Sequence, residues 1–304
     1  MREQFKSKKF QQKTLDLIER ANAIIEEYVG QGFVLTLRQL YYQFVARVII
    51  ENSVASYKRL GSILNDARLA GLVDWEHIED RTRSLRTHAS WDSPSDIIAG
   101  AAYSYREDIW RDQIWRPEVW IEKDALLGVI EGVCREFRVP YFAHRGNNSQ
   151  SEQYKAGKRY AEMLEAGFQP VVLHLCDHDP NGIDMSRDNT ERLALFAGEP
   201  IQLRRIALNL DQVQHYSLPP NPAKDTDSRY ESYVEQFGTE CWELDALDPT
   251  VIASLVRNEL RMLIDHNLWD AALEQEERNR SLLSKASANW AMVEKSMVEK
   301  SLDE

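Results

Sequence analysis

Cysteine is scarce in this chain: Cys134, Cys176 and Cys241 are its only three, far apart in 304 residues. With an odd count and no CxxC pair, neither a disulfide framework nor a cysteine-held structural zinc is expected. A reduced, cytoplasmic setting is the natural reading. No apolar run approaches the ~20 residues that a membrane span requires, so no membrane partner is expected. Met1-Arg2-Glu3-Gln4-Phe5-Lys6 is not followed by the apolar block of a secretory signal. Neither a Walker loop nor a GxGxxG motif appears, so no nucleotide-hydrolysing site is expected.

What is present is ordinary for a globular protein, with 43% hydrophobic and 28% charged residues. The length predicts two domains or three small ones. The net charge of −12 is unevenly spread. Residues 1–91 carry 14 Lys+Arg against 11 Asp+Glu, a balance of +3, which leaves 23 against 38, or −15, for the rest. Random variation accounts for such a split, and so does a DNA-contacting amino-terminal module joined to an acidic, metal-seeking body.

Helical spacing of Leu17, Ile18, Ala21, Ile25 and Tyr28 predicts a helix over 14–29, ended by Gly30 and Gly32. Thr36 caps a second helix from Leu37 to about Val48. A third runs from about Val54 to Ala70, with Lys58, Arg59, Ser62, Asn65 and Arg68 on its outer side. Short β-like stretches come next, around 72–75 and 78–82. Three helices, a basic third one and a hairpin after it give the outline of a winged-helix DNA-binding domain over 1–91. Three-helix packing also occurs in proteins that never meet DNA. Residues 92–118 read as a connector in which Trp110 and Trp115 pack onto a neighbouring surface. From 119 to 216, strands near 119–121, 139–143, 170–176 and 201–208 alternate with helices near 124–136, 150–166 and 184–196, which predicts an α/β unit. Residues 217–304 read as a helical carboxy-terminal region, with helices from Asp248-Pro249 to about 265 and over 281–301. Met-Val-Glu-Lys-Ser at 292–296 recurs at 297–301, too briefly to mean a repeat fold.

Two apolar runs end in acid. Pro170-Val171-Val172-Leu173-His174-Leu175 leads into Asp177-His178-Asp179-Pro180-Asn181-Gly182, and Val119-Trp120-Ile121 into Glu122-Lys123. Parallel neighbouring strands would bring Glu122, Asp177 and Asp179 to one carboxyl edge, where open α/β sheets place ligands. Carboxylates so gathered raise one another's pKa unless a cation sits between them, and hard oxygen donors suit Mg²⁺. Asp-Pro-Asn-Gly is also a good turn, which accounts for Pro180 to Gly182 but not for the acids. His178, between two residues that face the metal, points away on an extended chain. Tyr41 shares the apolar stripe of its helix. Tyr42 lies about 100° further round, one turn after Arg38. A guanidinium there lowers a phenol's pKa and grips a phosphate, so Tyr42 is a candidate nucleophile as well as a half-buried surface tyrosine. Gly146-Asn147-Asn148-Ser149 before a helix amino terminus is a candidate anion cradle or a plain loop.

The order of these features resembles the A subunit of topoisomerase VI and its relative, the meiotic double-strand-break transesterase. Leu35-Thr36-Leu37-Arg38-Gln39-Leu40-Tyr41-Tyr42 is similar to that family's Arg-x-x-Tyr-Tyr motif, Trp120-Ile121-Glu122-Lys123 to its strand-terminal Glu, and Asp177 to Gly182 to its Asp-x-Asp-Pro-x-Gly. Arg205 to Leu208, Gln212-Val213 and Tyr216 to Pro219 are also similar to the segment downstream of the acids in that family. The likeness covers roughly residues 30–230. It implies an α/β (α+β) multidomain fold: a CAP-like winged-helix domain, a Rossmann-like Toprim domain with a mostly parallel sheet, and a helical extension. It implies Tyr42 and Arg38 as catalytic residues, Mg²⁺ (with Mn²⁺ as substitute) on Glu122, Asp177 and Asp179, and double-stranded DNA as substrate, which the outer side of the third helix would contact through Lys58, Arg59, Ser62 and Asn65. It further implies a homodimer in which one protomer's tyrosine meets the other's acids, an ATPase B-type subunit as a further candidate partner, and a nucleoid-associated location. The chain is shorter than such A subunits, and Gly146 to Ser149 replaces their Gly-x-Pro, which fits a compact stand-alone relative. Two other classes compete: a Toprim nuclease using metal-activated water, and a non-catalytic DNA-binding regulator.

Overall fold

Apolar residues at helical spacing turn the three opening stretches into helices packed on one core. The computed structural model describes residues 2–78, 90–146 and 148–300, with side chains to 296. Its first helices are α1 (Gln12–Gly30), α2 (Leu37–Ala46) and α3 (Val54–Leu69). A capping box opens α2: Thr36 Oγ1 accepts from the Gln39 N–H at 3.3 Å, and Gln39 Oε1 accepts from the Thr36 N–H at 2.8 Å. Ser53 caps α3 by accepting from the Ser56 N–H at 3.1 Å. Leu40, Phe44, Leu60, Leu64 and Ala67 meet Ile24, Ile25 and Tyr28 of α1 in the shared core. After α3 there are isolated bridges, Gln4 to Ala70 and Leu35 to Ile78. Residues 79–82 of the expected second β-stretch lie outside the described residues.

The chain divides into two compact units, Met1–Arg83 with Pro117–Met262, and Ser84–Arg116 with Leu263–Glu304. The stretch read as a connector contains a helix, α4 (Pro94–Ser104). Ser93 accepts from the Asp96 N–H at 3.2 Å, and Pro94 occupies the first helical position, where its missing N–H costs nothing.

The fold of the first unit is α/β. Strands β1 (Trp115–Ile121), β2 (Tyr141–Ala143), β3 (Gln169–Leu175) and β4 (Gln202–Ala207) form a parallel sheet in the order β2-β1-β3-β4. Helices α5 (Leu127–Phe137), α6 (Gln150–Glu165) and α7 (Pro180–Ala197) connect them. Sheets covered on both faces have strands that are continuous apolar runs rather than alternations. Val119 to Ile121 and Val171 to Leu175 are accordingly buried without a break. Trp120 and Val172 pack beneath Ala156, Tyr160 and Leu193. The buried Glu118 is satisfied by Arg159 at 2.8 and 2.9 Å, by the Tyr160 hydroxyl at 2.7 Å and by Trp120 Nε1 at 3.0 Å.

After β4 come α8 (Leu210–His215), β5 (Asn221–Pro222), α9 (Tyr230–Phe237), β6 (Glu240–Cys241), a 3₁₀ turn at Leu244–Ala246 and α10 (Pro249–Met262). The region from 217, expected to be helical, thus also holds two short strands. Pro219, Pro220 and Pro222 deny a helix its N–H donors, and β5 pairs antiparallel with β6 instead. In the second unit α11 (His266–Ala288) packs along α4 and is followed by α12 (Trp290–Lys300). The expected helix over 281–301 thus begins earlier, at an Asp265 cap, and breaks near Asn289. Trp110 is buried there, its ring edge-on to Trp269 at 5.4 Å.

Candidate functional site

The two central strands deliver the acids. β1 and β3 are neighbours, and the ladder continues one residue past β1, with the Glu122 N–H donating to the Leu175 carbonyl at 2.9 Å. Glu122 Oε2 in turn accepts from the Asp177 N–H at 3.0 Å. Asp179 caps α7, its Oδ1 accepting from the Gly182 N–H at 2.6 Å. The three carboxylates, with Asn221, Cys241 and Glu243, line a cavity of about 450 Å³. Burial pushes Asp177 up to about 7, helped by Glu122 and opposed by Lys123. Burial also raises Glu122, and Asp179 adds to the rise.

Lys123, directly after Glu122, partly neutralises this edge and ties it to two further acids, Glu243 and Asp245, from a segment expected to be helical. Lys123 Nζ lies 2.8 Å from Asp177 Oδ1, 2.9 Å from Asp245 Oδ2 and 3.2 Å from Glu243 Oε2. Burial disfavours its charge, but Asp245, Asp177 and Glu243 outweigh burial and hold it firmly protonated. The Leu244 N–H donates to Asp177 Oδ1 at 2.8 Å, so the 3₁₀ turn is fixed against the end of β3.

Arg38 and Tyr42 reach the same group from α2. Arg38 pairs with Glu243, and its Nε lies 3.3 Å from Asp245. Tyr42 shares the lining of one cavity with Arg38 and Glu243, the two members of that ion pair. Tyr42 is 4% exposed, yet it lines a cavity of about 370 Å³ with Arg38, Tyr41, Asn52, Asn221 and Glu243. Asn221 and Glu243 thus border both cavities. The expected fall in the Tyr42 pKa is corrected. Burial and the Glu243 charge raise it, and the lowering by Arg38 is smaller than their sum. Tyr41 differs from its neighbour: its hydroxyl donates to Asn52 Oδ1 at 2.9 Å and accepts from the Ser53 N–H at 2.8 Å.

Other candidates fall outside these cavities. Lys58, Arg59, Ser62 and Asn65 are exposed along α3. Arg68 is not free on that face, because it donates to the Trp75 and Ile78 carbonyls and lies 5.2 Å over the Trp75 ring. His178 packs among Tyr233, Phe237 and Trp242, with Nδ1 2.9 Å from the Tyr233 hydroxyl. Ser149 caps α6, and Asn148 bonds Asn189 at 3.1 Å. Asn147 lies outside the described residues.

Sequence reasoning missed Glu243 and Asp245, and it noted Arg205 without giving it a role. Trp242-Glu243-Leu244-Asp245 alternates apolar and acidic residues, which is a signal of an edge segment. Arg205 donates to the carbonyls of Asp177 at 2.6 Å and Gly182 at 2.8 Å, bracing the loop that carries both aspartates.

The donor chemistry fits Mg²⁺, which takes one or two carboxylates and completes its shell with water and substrate phosphate. The bonds above occupy Oε2 of Glu122, Oδ1 of Asp177 and Oδ1 of Asp179, leaving each a second oxygen without such a bond among the described residues. Among the described residues, no group of three or more His, Cys, Asp or Glu side chains is arranged so that it could itself hold a metal ion. Comparison of the chain with protein-family models, curated proteins and solved structures returns no match.

Proposed function

We propose that this chain is a divalent-metal-dependent DNA-cleaving transesterase. The observation that carries the reading is the pair of residues, Asn221 and Glu243, bordering both the Tyr42 cavity and the acid cavity. It sets a candidate nucleophile beside a candidate metal edge in one compact unit. In this reading the three-helix part is a winged-helix DNA reader and the parallel sheet with its acids is a Toprim domain. Tyr42 attacks a phosphodiester of double-stranded DNA, leaving a 5′-phosphotyrosyl link and a free 3′-hydroxyl. Arg38 holds the phosphate under attack. A Mg²⁺ held by Glu122, Asp177 and Asp179, or Mn²⁺ in its place, would stabilise charge building on the phosphate. Two such chains in a homodimer, each using its own tyrosine and acids rather than meeting its partner's as the resemblance implies, would cut both strands.

The test is supercoiled plasmid incubated with Mg²⁺ and run on denaturing gels, with Tyr42→Phe and Asp177→Ala beside the wild type. Protein-linked DNA is expected for the wild type alone. The burial and raised pKa of Tyr42 support a second reading, a Toprim nuclease that hydrolyses DNA with water while Tyr42 is structural. Free DNA ends made equally well by Tyr42→Phe would select it.

A further inference from the structure

Glu243 is built into its place. Arg38 of α2 and Lys123 after β1 both pair with it, and the next residue, Leu244, is anchored to Asp177. Its neighbour Asp245 meets the same two cations through Oδ2 and has no side-chain exposure, its buried Oδ1 being without a hydrogen-bond partner among the described residues, whereas Glu243 keeps 27% of its side chain exposed. Glu243 is therefore the acid of this pair that both lines the Tyr42 cavity and can exchange protons with solvent.

Other groups near the phenol are unsuited to accept its proton. Arg38 has no acceptor atom. The Tyr41 hydroxyl is committed to Asn52 and Ser53. Glu243 is the carboxylate among the residues lining the Tyr42 cavity, whereas Asp177 borders only the acid cavity, and both cations pair with Glu243 through Oε2.

We propose that Glu243 is the base that takes the Tyr42 proton in the cleavage step, an inference that rests on the transesterase reading. The Tyr42 O–H bond breaks as its oxygen bonds to phosphorus, and the proton passes to the Glu243 carboxylate. The bond from phosphorus to the 3′-oxygen breaks, and that oxygen takes a proton from water. In the resting site the phenol stays protonated, since burial and the Glu243 charge both raise its pKa. Bonding to phosphorus strips the phenolic oxygen of its proton affinity, so transfer becomes downhill only during attack.

The experiment measures single-turnover formation of the protein–DNA adduct on supercoiled plasmid with saturating Mg²⁺. Glu243→Gln is expected to slow it about 100-fold, the usual scale of one general base. Placing 3,5-difluorotyrosine at position 42, a more acidic phenol, is expected to restore at least about 10-fold of that loss, because an acidic nucleophile depends less on a base. A merely structural Glu243 would not respond to the phenol's acidity. Should Glu243→Gln fail to fold, the same comparison in Glu243→Asp serves, with a smaller loss and the same rescue. The inference is overturned if Glu243→Gln reacts at the wild-type rate or if fluorination leaves its slow rate unchanged. A wild type that forms no adduct, or an adduct that survives Tyr42→Phe, instead overturns the transesterase reading and this inference with it.

Discussion

Gly182 has no space for a side chain. A Cβ there would lie 2.1 Å from the Asp177 carbonyl oxygen and 3.2 Å from Asp179 Oδ1. Gly182→Ala must push the aspartate loop off the start of α7, at an overpacking cost of about 1–3 kcal/mol. Urea denaturation should report that loss, and a variant as stable as wild type would show that the loop tolerates the shift. Asp177 gives a prediction with a sign. Its pKa rises from an ordinary 3.8 to about 7, so the folded state holds the proton more tightly than the unfolded chain does. The stability contributed by this group is fully present below pH 3.8 and is lost as pH rises through 7. A divalent cation binds the ionised carboxylate, so Mg²⁺ should raise the melting temperature more at pH 8 than at pH 6, and EDTA should reverse the gain. Equal shifts at both pH values would remove Asp177 from the ligand set. These acids are legible in the sequence because an apolar run that ends abruptly in carboxylate has few structural explanations. Glu243 and Asp245 are not, because β6 before them is only two residues long and leaves no apolar run to mark the edge.

At the scale of elements, the capping signals are the most readable. Thr36 with Gln39 and Ser53 with Ser56 fix the starts of α2 and α3. Thr36→Ala should cost about 1 kcal/mol, the usual worth of such a cap, measurable as a lowered denaturation midpoint. Because α2 carries both Arg38 and Tyr42, the same variant should also slow adduct formation. Unchanged cleavage would show that α2 is held by its core packing alone. The sheet is legible from its apolar runs, since Val119–Ile121 and Val171–Leu175 have no polar face to confuse with a helix. α4 is harder to see, because Ser93-Pro94-Ser95 has the composition of a linker, although Ser before Pro is also how a helix begins. The loss of helix after Leu218 comes from the prolines at 219, 220 and 222, whose effect outweighs the helical composition around them.

On the scale of the whole molecule, the charge of −12 opposes contact with a polyanion unless the contact is local. The exposed α3 face with Lys58, Arg59, Ser62 and Asn65 offers such a place. Lys58→Ala and Arg59→Ala should each weaken duplex binding across all sequences and reduce the salt slope by about 1. Fluorescence anisotropy at several salt concentrations measures this, and an unchanged slope would move the DNA to another face. The pairing of Arg38 with Glu243 spans 205 residues of chain, and that of Lys123 with Asp245 spans 122. Contacts so distant along the sequence form late in folding, because a long loop must close before they repay its entropy. A nascent chain emerging from the ribosome therefore holds Arg38 and Tyr42 long before the turn that receives them exists. Whatever chemistry this cluster performs, synthesis must run past Asp245 before it can begin.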